Sequence, residues 1–196
     1  MTPFQVFNFH PVMDYSGPLA TIDLSKGYDH SEEALELRGA GGYLERRPNI
    51  YTSPLFERKR FIHMGVDIWS PAGSAVFAFD DGFIWGFRNN DKPLDYGGTI
   101  ITEHQYNGHR LFALYGHLSL RSIDGLKKGM RFKKGEQIAE LGDRSENGGW
   151  IPHLHFQLSI AEPSEPDMPG VVSEEELKEA MLRYPDPRIV LGPIYI

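Results

Sequence analysis

The chain between residues 61 and 160 consists of short apolar segments that are separated by glycine-containing turns. Strands spaced at roughly ten residues, with no helices alternating between them, indicate an antiparallel β architecture. The strongest turn signal is Asn107-Gly108, because both residue types accept the positive φ angles of a two-residue hairpin turn. It predicts a hairpin that joins strands at 99–103 and 110–115. The pattern therefore predicts a mainly β fold with an antiparallel sheet core and short peripheral helices in the N- and C-terminal regions.

Other local signals place further strands and two helices around this hairpin. Asp80-Asp81-Gly82 separates two apolar segments and predicts a second hairpin. Ser173 and Glu176 form a capping box, which predicts a helix that ends near Arg183. The elements predicted in addition to the first hairpin are strands at 75–79, 83–87, 137–141 and 153–160, and helices at 31–38 and about 173–183.

The length of the chain limits its organisation. With 196 residues, it is long enough for one sizeable core and a little short for two domains. Residues 1–57, which proline and glycine interrupt repeatedly, are predicted to be an N-terminal extension packed on the core. Residues 58–160 form the predicted β domain, and residues 161–196 a C-terminal loop and helix of the same domain.

Composition excludes several classes of function and chemistry. The net charge of −7 argues against nucleic acid or an anionic membrane surface as a partner, because both require a basic surface. The absence of cysteine excludes thiolate metal ligands, cysteine nucleophiles and disulfides. Residues 1–20 lack the basic start of a signal peptide, and no apolar run approaches the roughly 20 residues of a membrane span. The expected location is therefore cytoplasmic.

Two short polar patterns predict a metal site. In a strand, side chains alternate between two faces, so His153 and His155 share one face. His63 and Asp67 are four residues apart, which also keeps both on one face of a strand. Two imidazoles and one carboxylate leave a fourth position free, which is the ligand count of a catalytic zinc site. The alternatives are an exposed histidine pair and a simple His63–Asp67 ion pair.

The order of these motifs resembles that of the lysostaphin-type zinc metallopeptidases, across roughly residues 58–160. The resemblance implies a small core of antiparallel strands with a groove over one sheet, and zinc-dependent hydrolysis of a peptide bond. The segments that carry it are His63-Met64-Gly65-Val66-Asp67, Pro71-Ala72-Gly73-Ser74-Ala75-Val76, Tyr115-Gly116-His117-Leu118, Lys127-Lys128-Gly129 with Lys134-Gly135-Glu136, and His153-Leu154-His155-Phe156.

The resemblance also implies a role for each polar residue. The zinc ligands are expected to be His63, Asp67 and His155, with Zn²⁺ as the cofactor. His117 and His153 are expected to flank the reacting water. A neutral imidazole can take its proton, and an imidazolium can stabilise the oxyanion or protonate the leaving amine. His153 is favoured as the base and His117 as its partner, but the sequence leaves the two roles open.

The substrate prediction is less specific than the chemistry. Trp150 stands where the family usually has a Ser/Thr-Gly-Pro turn, and it either lines the groove or is a structural core residue. Tyr115 is a second candidate for substrate binding. The expected substrate is a peptide or a peptidoglycan-derived peptide. A further resemblance, to the branch of the family that is fused to intracellular aminotransferases, implies a functional link to an enzyme of that type.

Two other functions stay open at this point. A catalytically silent module could hold a peptide or a protein partner in the same groove, and an exported or phage lysin would act on murein. His104 and His109, which flank the Asn107-Gly108 turn, are a poor metal site because no carboxylate accompanies them.

Overall fold

The structure is a computed structural model, and it describes residues 8–15, 17–27, 38–57 and 59–195. Short strands dominate these residues, whereas helices are few and none is longer than two turns. The strands are β1 (Ala20–Thr21), β2 (Gly39–Gly41), β3 (Ile62–His63), β4 (Val66–Trp69), β5 (Ala75–Phe77), β6 (Gly82–Asn90), β7 (Gly97–Tyr106), β8 (His109–Leu118), β9 (Arg131–Phe132), β10 (Gln137–Glu140), β11 (His153–Ser159) and β12 (Val171–Val172). The helices are α1 (Leu120–Ile123), α2 (Leu177–Arg183) and α3 (Arg188–Leu191), together with a 3-10 turn at Pro54–Phe56.

Most strands belong to one large sheet. Its order is β1-β2-β4-β11-β8-β7-β6-β9, and every neighbouring pair except β1 with β2 is antiparallel. Two small antiparallel sheets, β5 with β10 and β3 with β12, accompany it. The predicted fold class, a mainly β protein with an antiparallel core and few short helices, is confirmed. Within the described residues, no helix has the length and apolar character needed to cross a membrane.

The hairpin at Asn107-Gly108 forms as predicted. Both turn residues have positive φ, 48° and 85°, and Tyr106 pairs directly with His109 across the turn. The strands β7 and β8 lie in the middle of the sheet, and nearly all of their residues are buried. Because side chains alternate, Leu111 and Ala113 pack in one apolar cluster, and Phe112 and Leu114 pack in another.

The second predicted hairpin is wrong. Strand β5 does not pair with β6 but with β10, while β6 pairs with β7 and β9. Other parts of the chain satisfy its backbone, because Phe77 donates its N–H to Val12 and Ala78 donates to Glu136. The chain bends at residues 79–81, but the local turn signal predicted the wrong pairing partner for β5.

The two helix predictions have different outcomes. Ser173 and Glu176 make both reciprocal hydrogen bonds of the capping box, at 2.9 and 3.2 Å, and α2 runs from Leu177 to Arg183. The α-helix thus ends at the predicted residue, but the prediction that it starts after Ser173 is wrong, because residues 174–176 form a turn and the helix begins at Leu177. Residues 31–37 of the other predicted helix lie outside the described part of the chain.

The described part of the N-terminal region is hydrogen-bonded to the β structure. Strand β2 pairs with β4 as the next strand of the main sheet. Beyond it, the backbone of residues 44–47 runs along residues 61–63: Leu44 donates to His63, His63 to Glu45, and Arg47 to Phe61. This region therefore lies beside β3 and β4. The domain boundaries at 57 and 160 stay predictions.

Candidate active site

Strand β11 presents polar side chains on one face and apolar side chains on the other. Leu154, Phe156 and Leu158 are fully buried in the larger apolar cluster, and each contributes about 1.5–3 kcal/mol by leaving water. The alternate residues, His153 and His155, therefore point to the opposite face of the strand. Apolar burial on one face thus determines where both histidines point.

Three polar side chains meet beside β11. His155 is the direct neighbour of Asp67 in the pairing of β11 with β4. The His155 Nδ1 atom lies 3.1 Å from Asp67 Oδ1 and 3.0 Å from His63 Nε2, and Asp67 Oδ1 lies 3.3 Å from His63 Nε2. All three side chains are buried. The structure thus brings together the three residues expected to bind zinc.

Gly65 makes this approach possible. It forms a bend between β3 and β4, so His63 and Asp67 lie on two short strands and not on the single strand expected from their spacing. A Cβ atom at position 65 would lie 2.5 Å from Cε1 and 2.6 Å from Nε2 of His155. Only glycine lets the backbone pass this close to the His155 ring.

Hydrogen bonds determine which imidazole nitrogens face the centre of the site. His63 donates Nδ1–H to the carbonyl oxygen of Gly42 at 3.0 Å, which leaves the Nε2 lone pair free. His155 is turned the other way and donates Nε2–H to Gln157 Oε1 at 3.0 Å. Gln157 is itself oriented, because its amide nitrogen donates to the Pro169 carbonyl. Two imidazole lone pairs and a carboxylate oxygen therefore converge with no hydrogen atom between them.

This donor set fits a zinc ion. Two ligands at about 2.0–2.2 Å from tetrahedral zinc are separated by about 3.3 Å. The three separations in the structure, 3.0, 3.1 and 3.3 Å, are close to that value. Three lone-pair donors at such distances repel one another unless a cation lies between them. The side chains that would hold it are His63, Asp67 and His155, which also form a potential metal-binding group by geometry alone.

The other two predicted histidines flank this group. His117 donates Nδ1–H to the Asn147 carbonyl at 3.0 Å, and His153 donates Nδ1–H to the Ile151 carbonyl at 2.7 Å. In each neutral ring, Nε2 is therefore the nitrogen able to accept a proton. The two rings lie 4.3 Å apart between centroids, and His153 Nε2 is 3.7 Å from Asp67 Oδ1.

Burial keeps these imidazoles neutral. It lowers the pKa of His63 to about 4, the pKa of His117 well below its ordinary value, and the pKa of His153 in the same direction. Burial opposes ionisation of Asp67 too, but the neighbouring His63 side chain and the positive charge of Arg47 hold its pKa well below the ordinary value. Near neutral pH the neutral imidazoles of His63, His117 and His153 thus lie beside an anionic carboxylate.

Tyr115 does not lie at this site, which corrects its prediction as a substrate-binding residue. Its side chain is fully buried and packs on Phe156, with ring centroids 5.2 Å apart. In a regular strand, residues 115 and 117 would share a face. His117, however, has a φ of 62°, which turns its side chain to the site while that of Tyr115 stays in the core.

A groove of about 390 Å³ leads to the histidines and opens to solvent. Trp150 lies in its wall, with the indole 6.2 Å from the His117 ring. The same side chain is only 9% exposed and donates its N–H to the Asp95 carbonyl at 3.2 Å, so it lines the groove and is anchored in the core. The groove is also lined from the N-terminal region by Leu24, Arg47, Ile50, Tyr51, Leu55 and Phe56, and from the C-terminal loop by residues 163–165 and 167–171.

Sequence reasoning missed three residues that support the ligands. Gln157 could have been found, because it continues the alternation of His153 and His155 on the same strand. Tyr96 donates its hydroxyl to the Met168 carbonyl at 3.0 Å and lies 3.4 Å from His155 Nε2. No pattern connects Tyr96 or Arg47 with the histidines, because both come from distant parts of the chain.

Comparison with known proteins identifies the class to which this fold and site belong. Residues 61–166, more than half of the chain, match the model of Peptidase family M23. The matched region contains His63, Asp67, His117, His153 and His155. The chain therefore belongs to this peptidase family, and the resemblance to lysostaphin-type metallopeptidases is confirmed. The family supports a hydrolase of the metallopeptidase class.

Solved structures of several peptidases are similar to the chain. A zinc-containing peptidase from Vibrio cholerae is 31% identical over 50% of this chain and 27% of its own, with a TM-score of 0.40. Csd3 from Helicobacter pylori is 31% identical over 56% of this chain and 26% of its own, with a TM-score of 0.37. The catalytic domain of the antimicrobial peptidase lysostaphin from Staphylococcus simulans is 23% identical over 78% of this chain and 98% of its own, with a TM-score of 0.48.

The first two structures are much longer than the region they share with this chain, which spans 27% and 26% of their lengths. All three TM-scores lie below 0.5. The family assignment accordingly depends on the match of residues 61–166. Comparison with curated protein sequences gives no match.

Proposed function

We propose that the protein is a zinc-dependent endopeptidase, with His63, Asp67 and His155 as the zinc ligands. The observation that carries this proposal is the convergence of three lone-pair donors, 3.0–3.3 Å apart, at the floor of a groove open to solvent. A buried ion pair alone would not require both imidazoles to turn their lone pairs to one point. Zinc held there would supply a Lewis acid that polarises a carbonyl and lowers the pKa of water.

His153 and His117 would transfer a proton from the attacking water to the leaving amine. The attacking water loses a proton to Nε2 of one imidazole while its oxygen bonds to the carbonyl carbon. That imidazolium then returns the proton from Nε2 to the amine nitrogen as the C–N bond breaks. Both rings have Nδ1–H engaged with a backbone carbonyl, so Nε2 is the exchanging atom in each. We assign the base role to His153, whose Nε2 is 3.7 Å from Asp67 Oδ1, and the oxyanion-stabilising role to His117.

The substrate that we propose is a peptide lying in the groove, with a peptidoglycan-derived peptide as one candidate. The aromatic rings of Tyr51, Tyr96 and Trp150 line the groove close to the histidines and offer apolar surface to peptide side chains. The acidic composition of the chain counts mildly against an intact, anionic murein wall as the target.

The first test is the metal content of the purified protein. We expect one zinc ion per chain, lost in His63→Ala and in His155→Ala. His109→Ala is the matched control, because this exposed histidine lies across the turn from β7 and away from the site. Hydrolysis is then measured on a peptide library and on peptidoglycan-derived peptides, before and after treatment with a chelator.

The outcomes separate the functions that remain. Zinc together with chelator-sensitive hydrolysis supports the proposal. Stoichiometric zinc without hydrolysis of any peptide, but with saturable peptide binding, would favour the silent binding module. No zinc in the wild type, with folding unchanged by the chelator, would contradict a metal-dependent mechanism.

A further inference from the structure

We propose that Arg47 is a positioning residue for the metal centre, and that the segment before the family-matched residues thereby completes the site. The inference rests on the proposed function, because it assigns to Arg47 the task of orienting the ligand Asp67. Arg47 lies fourteen residues before the first matched residue, Phe61, and is 2% exposed.

The Arg47 guanidinium bonds the carboxylate oxygen that faces away from the histidines. Its Nη1 donates to Asp67 Oδ2 at 2.6 Å, while Asp67 Oδ1 faces His155 Nδ1 at 3.1 Å. An aspartate has two equivalent oxygens and a side chain that rotates. Occupation of Oδ2 by a fixed donor therefore selects Oδ1 as the ligand atom and determines the plane of the carboxylate.

Arg47 is itself held from two sides. Its Nε donates to Glu45 Oε2 at 2.5 Å, and the other oxygen of Glu45 accepts from the Leu24 N–H at 3.0 Å. Its Nη1 also donates to the Tyr51 hydroxyl at 3.1 Å. A guanidinium that is anchored in this way can act as a rigid support, because its planar fork cannot turn without breaking several bonds.

The same segment orients a second ligand. The Gly42 carbonyl accepts Nδ1–H of His63, and the backbone of residues 44–47 is hydrogen-bonded along residues 61–63. Residues 42–47, which we call the supporting segment, thus hold His63 through a carbonyl and Asp67 through an arginine. Two of the three ligands depend on a part of the chain outside the family match.

Stability alone does not account for a buried arginine here. Taking the charges of Arg47, Glu45 and Asp67 out of water has a large desolvation cost, and replacement of such groups by apolar ones is often neutral or stabilising. In addition, Arg47 Nη2 is buried without a hydrogen-bond partner. The arrangement is therefore poor as a stabilising ion pair, and it is well suited to setting the direction of Asp67.

The test compares Arg47→Met with Arg46→Met. The control is closely matched, because Arg46 is the adjacent arginine, pairs with Glu174 and has a side chain that is 54% exposed. Zinc dissociation constants are measured by competition with a chromophoric chelator, and ligand geometry is followed by the visible spectrum of the Co²⁺-substituted protein. Circular dichroism and thermal unfolding of the metal-free variants establish that each is folded.

We expect Arg47→Met to bind zinc about 10- to 100-fold more weakly than the wild type, as is typical when a group behind a metal ligand is removed. Its Co²⁺ spectrum should change, whereas Arg46→Met should match the wild type in both measurements. Arg47→Lys should restore part of the affinity, because an ammonium reaches Asp67 but cannot also bond Glu45 with a planar fork. Wild-type affinity and spectrum in Arg47→Met would overturn the inference.

Two further variants apply if Arg47→Met does not fold. Arg47→Lys and Glu45→Gln each keep a polar group in place while loosening the support of Asp67, and both should weaken zinc binding several-fold. Wild-type affinity in both would overturn the role of Arg47 and leave the proposed function intact. A wild-type protein that binds no zinc would overturn the proposed function and this inference together.

Discussion

The protein buries histidine in two different ways, in the cluster around Asp67 and at His104. His104 is 1% exposed, and burial lowers its pKa to about 4, as it does for His63. Both nitrogens of its ring are occupied, Nδ1 by the Asp81 carbonyl and Nε2 by the Thr102 hydroxyl, each at 2.9 Å. Its ring packs on Phe79, with centroids 4.1 Å apart.

In the cluster around Asp67, one nitrogen of each imidazole is hydrogen-bonded to a carbonyl oxygen, and the other nitrogen faces the centre of the site. Burial and a lowered pKa are therefore common to both environments and do not distinguish them. The difference is the uncommitted nitrogen, because a ring with both nitrogens occupied can neither bind a metal nor exchange a proton. His104 is accordingly a structural residue. It does not form a metal site with His109, which is exposed on the other side of the turn.

The largest expected effect comes from removing a ligand. Asp67→Asn should abolish zinc binding and reduce peptide hydrolysis by at least about 10,000-fold, because the metal supplies several kcal/mol of transition-state stabilisation. Zinc content and kcat/KM on one cleaved peptide check this. Retention of zinc and of activity in Asp67→Asn would contradict the role of Asp67 as a zinc ligand.

A smaller effect is expected for the histidines that flank the ligands. His153→Ala and His117→Ala should each lower kcat by about 100- to 1,000-fold, since general acid–base catalysis is lost, while zinc stays at one ion per chain. The pH dependence of kcat in each variant would show which histidine is the base, because loss of the base removes the acidic limb of the profile. Loss of zinc in either variant would mean that the residue is a ligand and not a proton carrier.

An intermediate effect is expected when the hydrogen-bond acceptor of the ligand His155 is removed. Gln157→Leu leaves His155 Nε2–H without its acceptor, so the ring is free to rotate and zinc should bind about 10- to 100-fold more weakly. Chelator competition measures the change. Wild-type zinc affinity in Gln157→Leu would contradict this role of Gln157.

The smallest functional effect is expected at His104, where only stability should change. The folded protein holds the pKa of His104 at about 4, below its ordinary value of 6.5. The neutral ring therefore contributes full stability above about pH 6.5, and this contribution is lost as the pH falls toward 4. Gln cannot titrate in this range. The free energy of unfolding of His104→Gln should therefore fall by up to about 3 kcal/mol less than that of the wild type between pH 6.5 and pH 4.

Urea unfolding of metal-free protein between pH 7 and pH 4.5 checks the prediction for His104. His109→Gln should follow the wild type, because this side chain is exposed. Zinc content should stay unchanged in both variants. A loss of zinc in His104→Gln would contradict the structural assignment of this residue.

Much of the fold could be predicted because it depends on local chemistry. The alternation of Leu154, Phe156 and Leu158 determines which face of β11 carries the histidines, and Asn107-Gly108 determines the central turn. The spacing of His63 with Asp67 and of His153 with His155 predicted a metal site, whereas the choice of His155 as the third ligand came from the resemblance to lysostaphin-type metallopeptidases. The reciprocal hydrogen bonds of Ser173 and Glu176 likewise depend on two side chains only three residues apart.

Tertiary structure alone decided the features that depend on distant partners. The pairing of β5 with β10 joins residues about sixty positions apart, and no turn signal near residue 80 contains that information. The left-handed backbone of His117 separates it from Tyr115, against the alternation of a regular strand. Arg47 reaches Asp67 only because the supporting segment pairs with residues 61–63, a long-range contact that leaves no periodic trace in the sequence.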